Sequence, residues 1–460
     1  MTNFWDFSVW GSINLFAVLL LGLLAGNVLK RKIAIFQKSL IPTSVLGGAI
    51  LLIIASIYKV ITKDVMFDTQ FFGGNGSDNL EMITYHALAL GFIASTLKPS
   101  KGKLSKKRLG EIINTGVSTV STYLLQAILG FGITLIIAIF AADFFAASGI
   151  LLPFGYGQGT GQAMNYGNIF EVDYGFIGGK SFGLTIAAFG FISAAIGGVI
   201  HLYILKKRNL IEDRTAASTR VTAEEVEGDN EIPFQDSIDK LTVQIAFVIG
   251  SYMLAYLLMF LLGNLLPGMK SVIYGFNFLL GVLAATLVKF VIKLLRKGQY
   301  MHREYVNDFL LTRTSNFFFD IMVTAGIAAI KVSSLKDYWW ILILLGLVGA
   351  FSTYFYHRLI SVKLFKDYPE EQFLMMYGML TGTASTGTIL LREKDPNFST
   401  PAAENMVYQN FPAIVLGFPM MLLVTMAPVK PILTMIILVA FFLVLNIALF
   451  RKFIFKKKAK

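Results

Sequence analysis

Runs of about 20 apolar residues recur along almost the whole chain, and a helix of that length crosses the hydrocarbon core of a bilayer. No other feature restricts the fold so severely. In lipid every backbone N–H and C=O must find its partner inside the protein, which leaves helices or closed barrels. The runs fall near 9–29, 40–58, 82–97, 112–141, 176–205, 241–265, 271–295, 308–332, 338–360, 406–427 and 431–450. They predict an all-α polytopic membrane protein with eleven spans. Only 15% of the residues are charged, against about 25% in soluble domains.

The charges set the orientation. The chain carries 40 Lys and Arg against 28 Asp and Glu, a net +12. That excess could serve nucleic acid, but the basic residues cluster at the ends of the apolar runs, which is the positive-inside pattern. With the N-terminus outside, the great majority of them fall on the inner side, in the segments after the first, third, fifth, seventh, ninth and last spans. The first run has no basic segment before it and reads as a span, not a cleaved signal.

This threading holds only if two further apolar stretches, 145–167 and 372–390, enter and leave on the same face. Both are broken by glycine and small residues, as re-entrant segments are. Residues 206–240, with the acidic run Glu224–Glu231, read as a cytoplasmic linker. The linker divides the chain into halves 1–205 and 241–428 of five spans each. An odd number of spans inserts the second half upside down, so the two form inverted-topology repeats, each with a re-entrant hairpin. Residues 429–460 add one transmembrane helix and a basic inner tail.

The broken stretches share a motif. The first reads Tyr156-Gly157-Gln158-Gly159-Thr160-Gly161-Gln162-Ala163 and the second Tyr377-Gly378-Met379-Leu380-Thr381-Gly382-Thr383-Ala384. Both fit YGxxTGxA, and each follows the fourth span of its half. Glycine is a poor helix former, and it lets backbone groups approach a ligand without a side chain between. Paired breaks in inverted halves point to the binding site of a secondary transporter, where half-helix N-termini hold carboxylates and unwound carbonyls hold Na⁺. Close helix packing through small residues is the competing explanation.

With Ile41-Pro42-Thr43-Ser44-Val45-Leu46-Gly47-Gly48 at the second span, Gly155–Ala163, Tyr377–Thr388 and the order of five spans, linker and five spans, the chain resembles the sodium–glutamate symporter family over about residues 9–428. The resemblance implies Na⁺-coupled uptake of an acidic amino acid, glutamate foremost, a homodimer, and a bacterial cytoplasmic membrane. It also implies a fold like that of sodium–citrate carriers, with alternating access by an elevator movement. Gln158 stands where glutamate-specific members have histidine, and the second loop has less glycine than theirs. A dicarboxylate substrate therefore stays open, as does an ion channel with the two loops as its filter.

The candidate substrate residues are Tyr156, Gly157, Gln158, Gly159, Thr160, Gly161, Gln162 and Asn165 in the first break, and Thr381, Gly382, Thr383, Ser385 and Thr386 in the second. In the eighth span, Arg313, Asn316, Asp320 and Thr324 share one helical face. Intramembrane ionisable groups are commonly functional, so Arg313 is a candidate carboxylate clamp, with snorkelling or a pair with Asp320 as alternatives. Asp320 and Asn316, with Thr160 and Thr381, are the candidate Na⁺ ligands. Thr115, Ser118, Thr122 and Gln126 form a polar stripe on the fourth span that reads mainly as packing. So does His86, while Glu171 and Asp173 read as loop residues. The chain has no cysteine and four scattered histidines, which excludes thiol chemistry and gives no catalytic cluster. Na⁺ is expected as a coupling ion, with no cofactor.

Overall fold

In the computed structural model of the protein, residues 3–38, 41–99, 105–141, 143–211, 226, 230–233, 237–395 and 399–454 are described. The first part of the chain forms α1 (Phe7–Lys32), α2 (Ala34–Lys38), α3 (Thr43–Thr62), α4 (Gly76–Leu97), α5 (Lys106–Phe140), α6 (Leu152–Tyr174) and α7 (Gly179–Lys207). The rest forms α8 (Lys240–Leu265), α9 (Lys270–Gly275), α10 (Asn277–Lys297), α11 (Asp308–Ala328), α12 (Trp339–Leu364), α13 (Pro369–Thr381), α14 (Ala384–Lys394), α15 (Ala402–Tyr408), α16 (Asn410–Met426) and α17 (Pro431–Ile454). There is no strand among the described residues, only an isolated bridge between Glu231 and Glu304.

Among the described residues, nine helices are long and apolar enough to cross a membrane, and the α15–α16 pair, bent by 49°, brings the number to ten if it forms one span. The expected span 308–332 becomes α11 and is not among them, because Asp308, Arg313, Asn316 and Asp320 dilute its apolar content. The expected span 271–295 is interrupted: α9 ends at Gly275 and α10 begins at Asn277. Most of the 206–240 linker and the tail beyond Ile454 lie outside the described residues. Within the linker, Glu231 accepts hydrogen bonds from Lys240 and from Asn307 Nδ2, both at 2.7 Å, which ties it to the starts of α8 and α11.

Local chemistry sets several of the helix starts. Ser105 Oγ accepts from the Arg108 N–H at the start of α5, and Asn307 Oδ1 accepts from the Leu310 N–H at the start of α11. Each satisfies one of the donors a helix N-terminus leaves orphaned.

By packing, the helices sort into two groups. One contains α1 to α4 and α8 to α11; the other contains α5, α6, α7 and α12 to α17. The Ile41–Gly48 segment is a packing element of the first group. A Cβ on Gly47 would meet Gly22 O at 2.7 Å, and one on Gly48 would meet Thr324 O at 2.9 Å, so α3 lies directly against α1 and α11. Between the groups the main contacts run from α6 to α4, α9 and α11, with a smaller contact from α7 to α11.

Candidate functional site

The first break lies inside α6. Gly159 has φ 78° and ψ −171°, so the helix runs to Gln158, turns, and resumes at Thr160. Positive φ with ψ near 180° is a backbone region essentially reserved for glycine and costs other residues about 1–3 kcal/mol, and the break needs glycine here for that reason. The space beyond it is open: a Cβ on Gly159 would have only Met322 Cε nearby, at 3.9 Å. Its neighbours serve packing instead. Gly157 lies against the Tyr123 ring, and a Cβ on Gly161 would meet Leu88 Cβ at 2.9 Å. Of the three motif glycines, only Gly159 matches the expectation of backbone left free of side chains.

Hydrogen bonds hold both sides of this break. Tyr123 Oη donates to Gly157 O at 3.0 Å, and Thr160 Oγ1 donates to Met322 O of α11 at 3.4 Å. Asn165 Nδ2 donates to Gln162 Oε1 at 3.0 Å and to Gly275 O at 3.2 Å. Asn165 thereby fills an unwound carbonyl where α9 stops. Gln158 Oε1 and Gln162 Nε2 are buried with no partner among the described residues. An acceptor and a donor left unpaired in a buried place are costly unless something fills them.

The second break lies between α13 and α14, at Gly382 and Thr383. Thr383 Oγ1 caps α14 by accepting from the Thr386 N–H at 3.3 Å. Thr381 Oγ1 is turned back onto Tyr377 O at 2.7 Å. The buried carbonyl end of α13 is taken by α5: Gln126 Nε2 donates to Leu380 O at 3.2 Å and to Thr353 Oγ1 of α12 at 2.7 Å. Gln126, first read as packing, thus holds the break from the side. Ser385 lies in the first turn of α14, and its side chain is outside what is described.

The two breaks meet on α7. Tyr156 Oη pairs with Ser193 Oγ at 2.9 Å and donates to Gly346 O at 2.5 Å, while Tyr377 Oη donates to Ser193 O at 2.9 Å. The equivalent tyrosines of the two motifs therefore converge on one residue. One turn earlier, a Cβ on Gly190 would stand 2.5 Å from Thr381 O and 3.3 Å from Tyr156 Cα. The sequence reading missed this seam. Its signal was present as small residues at one-turn spacing, Gly190, Ser193 and Gly197, which allow close backbone approach.

Arg313, Asn316 and Asp320 are not part of this meeting point. All three are exposed, and the opposite face of α11, with Met322 and Gly326, abuts Thr160. Arg313 lies over the Phe309 ring at 5.0 Å and forms no ion pair with Asp320 among the described residues. Thr324 Oγ1, on the same side of α11, donates to Ser44 O at 3.1 Å. That face fastens α11 to α3. His86 pairs with Tyr252 Oη at 2.6 Å, Glu171 accepts from the Lys180 N–H at 3.1 Å, and Asp173 accepts from Ser271 at 3.3 Å.

Neither motif segment contains a charged residue. Charge on a ligand would be met there by backbone dipoles and neutral side chains: the N-termini of α14 and of the second half of α6 are partly positive, and the carbonyls before each break are partly negative. No group of three or more His, Cys, Asp or Glu that could hold a metal occurs among the described residues. A cation here would have to be one that neutral oxygens satisfy.

The family model described as Sodium/glutamate symporter matches residues 10–368. The match takes in the first break and α7 and stops one residue before α13, so the second break and α14 to α17 lie beyond it. No curated protein matches the chain.

Proposed function

Because the chain belongs to the sodium/glutamate symporter family, and so is a multi-pass membrane transporter and not an enzyme, we propose that it carries glutamate together with Na⁺, holding both between the two breaks. The observation that supports this most is the convergence of Tyr156 and Tyr377 on Ser193. Two copies of one motif, far apart in the chain, are brought to a single uncharged meeting point. The half-helix N-termini would take the substrate carboxylates. Neutral oxygens at the breaks, among them Gln158 Oε1, Thr160 and the carbonyls near Thr381, would take Na⁺.

The packing supports an alternating-access reading. The group carrying both breaks meets the other group chiefly along α6, so it would slide as an elevator with α6 at its sliding face. In this reading, 1–205 and 241–428 are inverted repeats, the N-terminus is outside, 206–240 and the C-terminus are in the cytoplasm, and the protein is a dimer in a bacterial cytoplasmic membrane. Gln158 in place of the histidine of glutamate-specific relatives favours a second reading, a dicarboxylate substrate without an amino group.

The test is uptake of labelled L-glutamate into proteoliposomes under an inward Na⁺ gradient, with succinate as competitor. Saturable Na⁺-dependent uptake supports the proposal, and succinate uptake alone selects the second reading. Unitary currents would replace both with a channel. The chain has no cysteine, so Gln158→Cys with Thr383→Cys can be oxidised without background. A crosslink whose yield changes with substrate or Na⁺ is expected; none under any condition would separate the breaks from the site.

A further inference from the structure

The last helix, α17, lies beyond the stretch that matches the family, and most of its surface is apolar. It packs against α5 and, less, against α16. A terminal helix of this kind could be a simple anchor. One residue argues otherwise. Asn446 is a polar side chain well inside an apolar helix, where an unpaired amide is expensive.

Asn446 closes a three-membered ring. Its Nδ2 donates to Ser121 Oγ at 2.9 Å, Ser121 Oγ pairs with Tyr356 Oη at 2.6 Å, and Tyr356 Oη donates to Asn446 Oδ1 at 2.8 Å. Ser121 belongs to α5 and Tyr356 to α12. Both helices help to hold the breaks: α5 through Tyr123 on Gly157 O and Gln126 on Leu380 O, α12 through Thr353 on Gln126 and Gly346 O on Tyr156. The ring lies on the same α5–α12 seam as the Gln126–Thr353 bond. Five residues separate Ser121 from Gln126 and three separate Thr353 from Tyr356, about 7.5 and 4.5 Å at 1.5 Å per residue.

We propose that Asn446 is a positioning residue for the transport site: by keying α5 against α12 it sets the depth at which Gln126 and Tyr123 meet the two breaks. The added helix is then a working part of the group that carries the site. This rests on the reading that substrate sits at the breaks.

The test is Na⁺-driven uptake of L-glutamate, or of succinate if that is the substrate carried, by Asn446→Leu, Tyr356→Phe and the double variant, with Gln126→Leu in parallel. Each ring variant should raise KM about three- to tenfold, the effect of roughly one hydrogen bond, with smaller change in the maximal rate per folded molecule. The double variant should be no worse than the worse single one, as for members of one network. Asn446→Gln should recover part of the loss. An anchor would behave differently, with less protein in the membrane and KM unchanged. Unchanged KM in Asn446→Leu and Tyr356→Phe, with KM raised in Gln126→Leu, overturns the role of Asn446 alone. Unchanged KM in all three overturns it together with the break-site reading. If Asn446→Leu does not fold, Tyr356→Phe decides between these outcomes.

Discussion

The two breaks share a sequence motif and differ in mechanical setting. The first lies within one helix, turns on a single residue, Gly159, and is shared between groups: Tyr123 and Gly346 hold it from one side, Met322 and Gly275 from the other. The second joins two helices that lie directly on each other, since a Cβ on Gly378 would meet Gly387 Cα at 2.6 Å. It is held by α5, α7 and a capping threonine, all within its own group. Equivalent residues therefore do unequal work. In an elevator, the first break is the one whose contacts must be remade as the groups slide.

The largest effect should come from Gly190, whose backbone lies against both breaks. Gly190→Val would push on Thr381 O and Tyr156 together. Overpacking of this kind costs about 1–3 kcal/mol. Thermal unfolding in detergent should fall by several degrees, and uptake should vanish. Wild-type uptake by the folded variant would mean that the breaks need not meet at α7.

Next comes a direct comparison of the breaks. Gly159→Ala has room for its methyl group but must adopt φ 78° with ψ −171°, a cost of about 1–3 kcal/mol. Gly382 has φ −143°, and its Cβ would meet Gly378 O and Thr386 Oγ1 at 3.1 Å. Gly159→Ala should therefore lower uptake more than Gly382→Ala while both reach the membrane. Equal losses, or the reverse order, would break the asymmetry argued above.

The smallest effect is expected at Arg313. It is exposed and stacked on Phe309, away from both breaks, and surface substitutions stay within about 0.5 kcal/mol. Arg313→Lys should change substrate KM by no more than about twofold. A rise of tenfold or more would bring Arg313 back as a carboxylate ligand.

Much of this molecule is legible in its sequence. Membrane length, apolar content and the lipid's demand for internal hydrogen bonding dictate helices and their approximate limits. The glycine-broken stretches and their shared motif are equally local, and both expected breaks occur where the motif lies, at Gly159 and at Gly382. What escaped the sequence is which face of a helix meets which neighbour. Arg313, Asn316 and Asp320 form a regular polar stripe, yet it is the plain face of α11, at Met322 and Gly326, that lies on Thr160. Gln126 looked like one more packing residue until α13 ended beside it. Ser193 stands in a one-turn series of small residues and Asn446 is an amide in an apolar helix, but neither mark names a partner. Periodicity and composition are properties of a single segment, and they determined what each segment is. The partners of Tyr156, Gln126 and Asn446 depend on helices distant in the chain being laid side by side, and only the tertiary structure decides that.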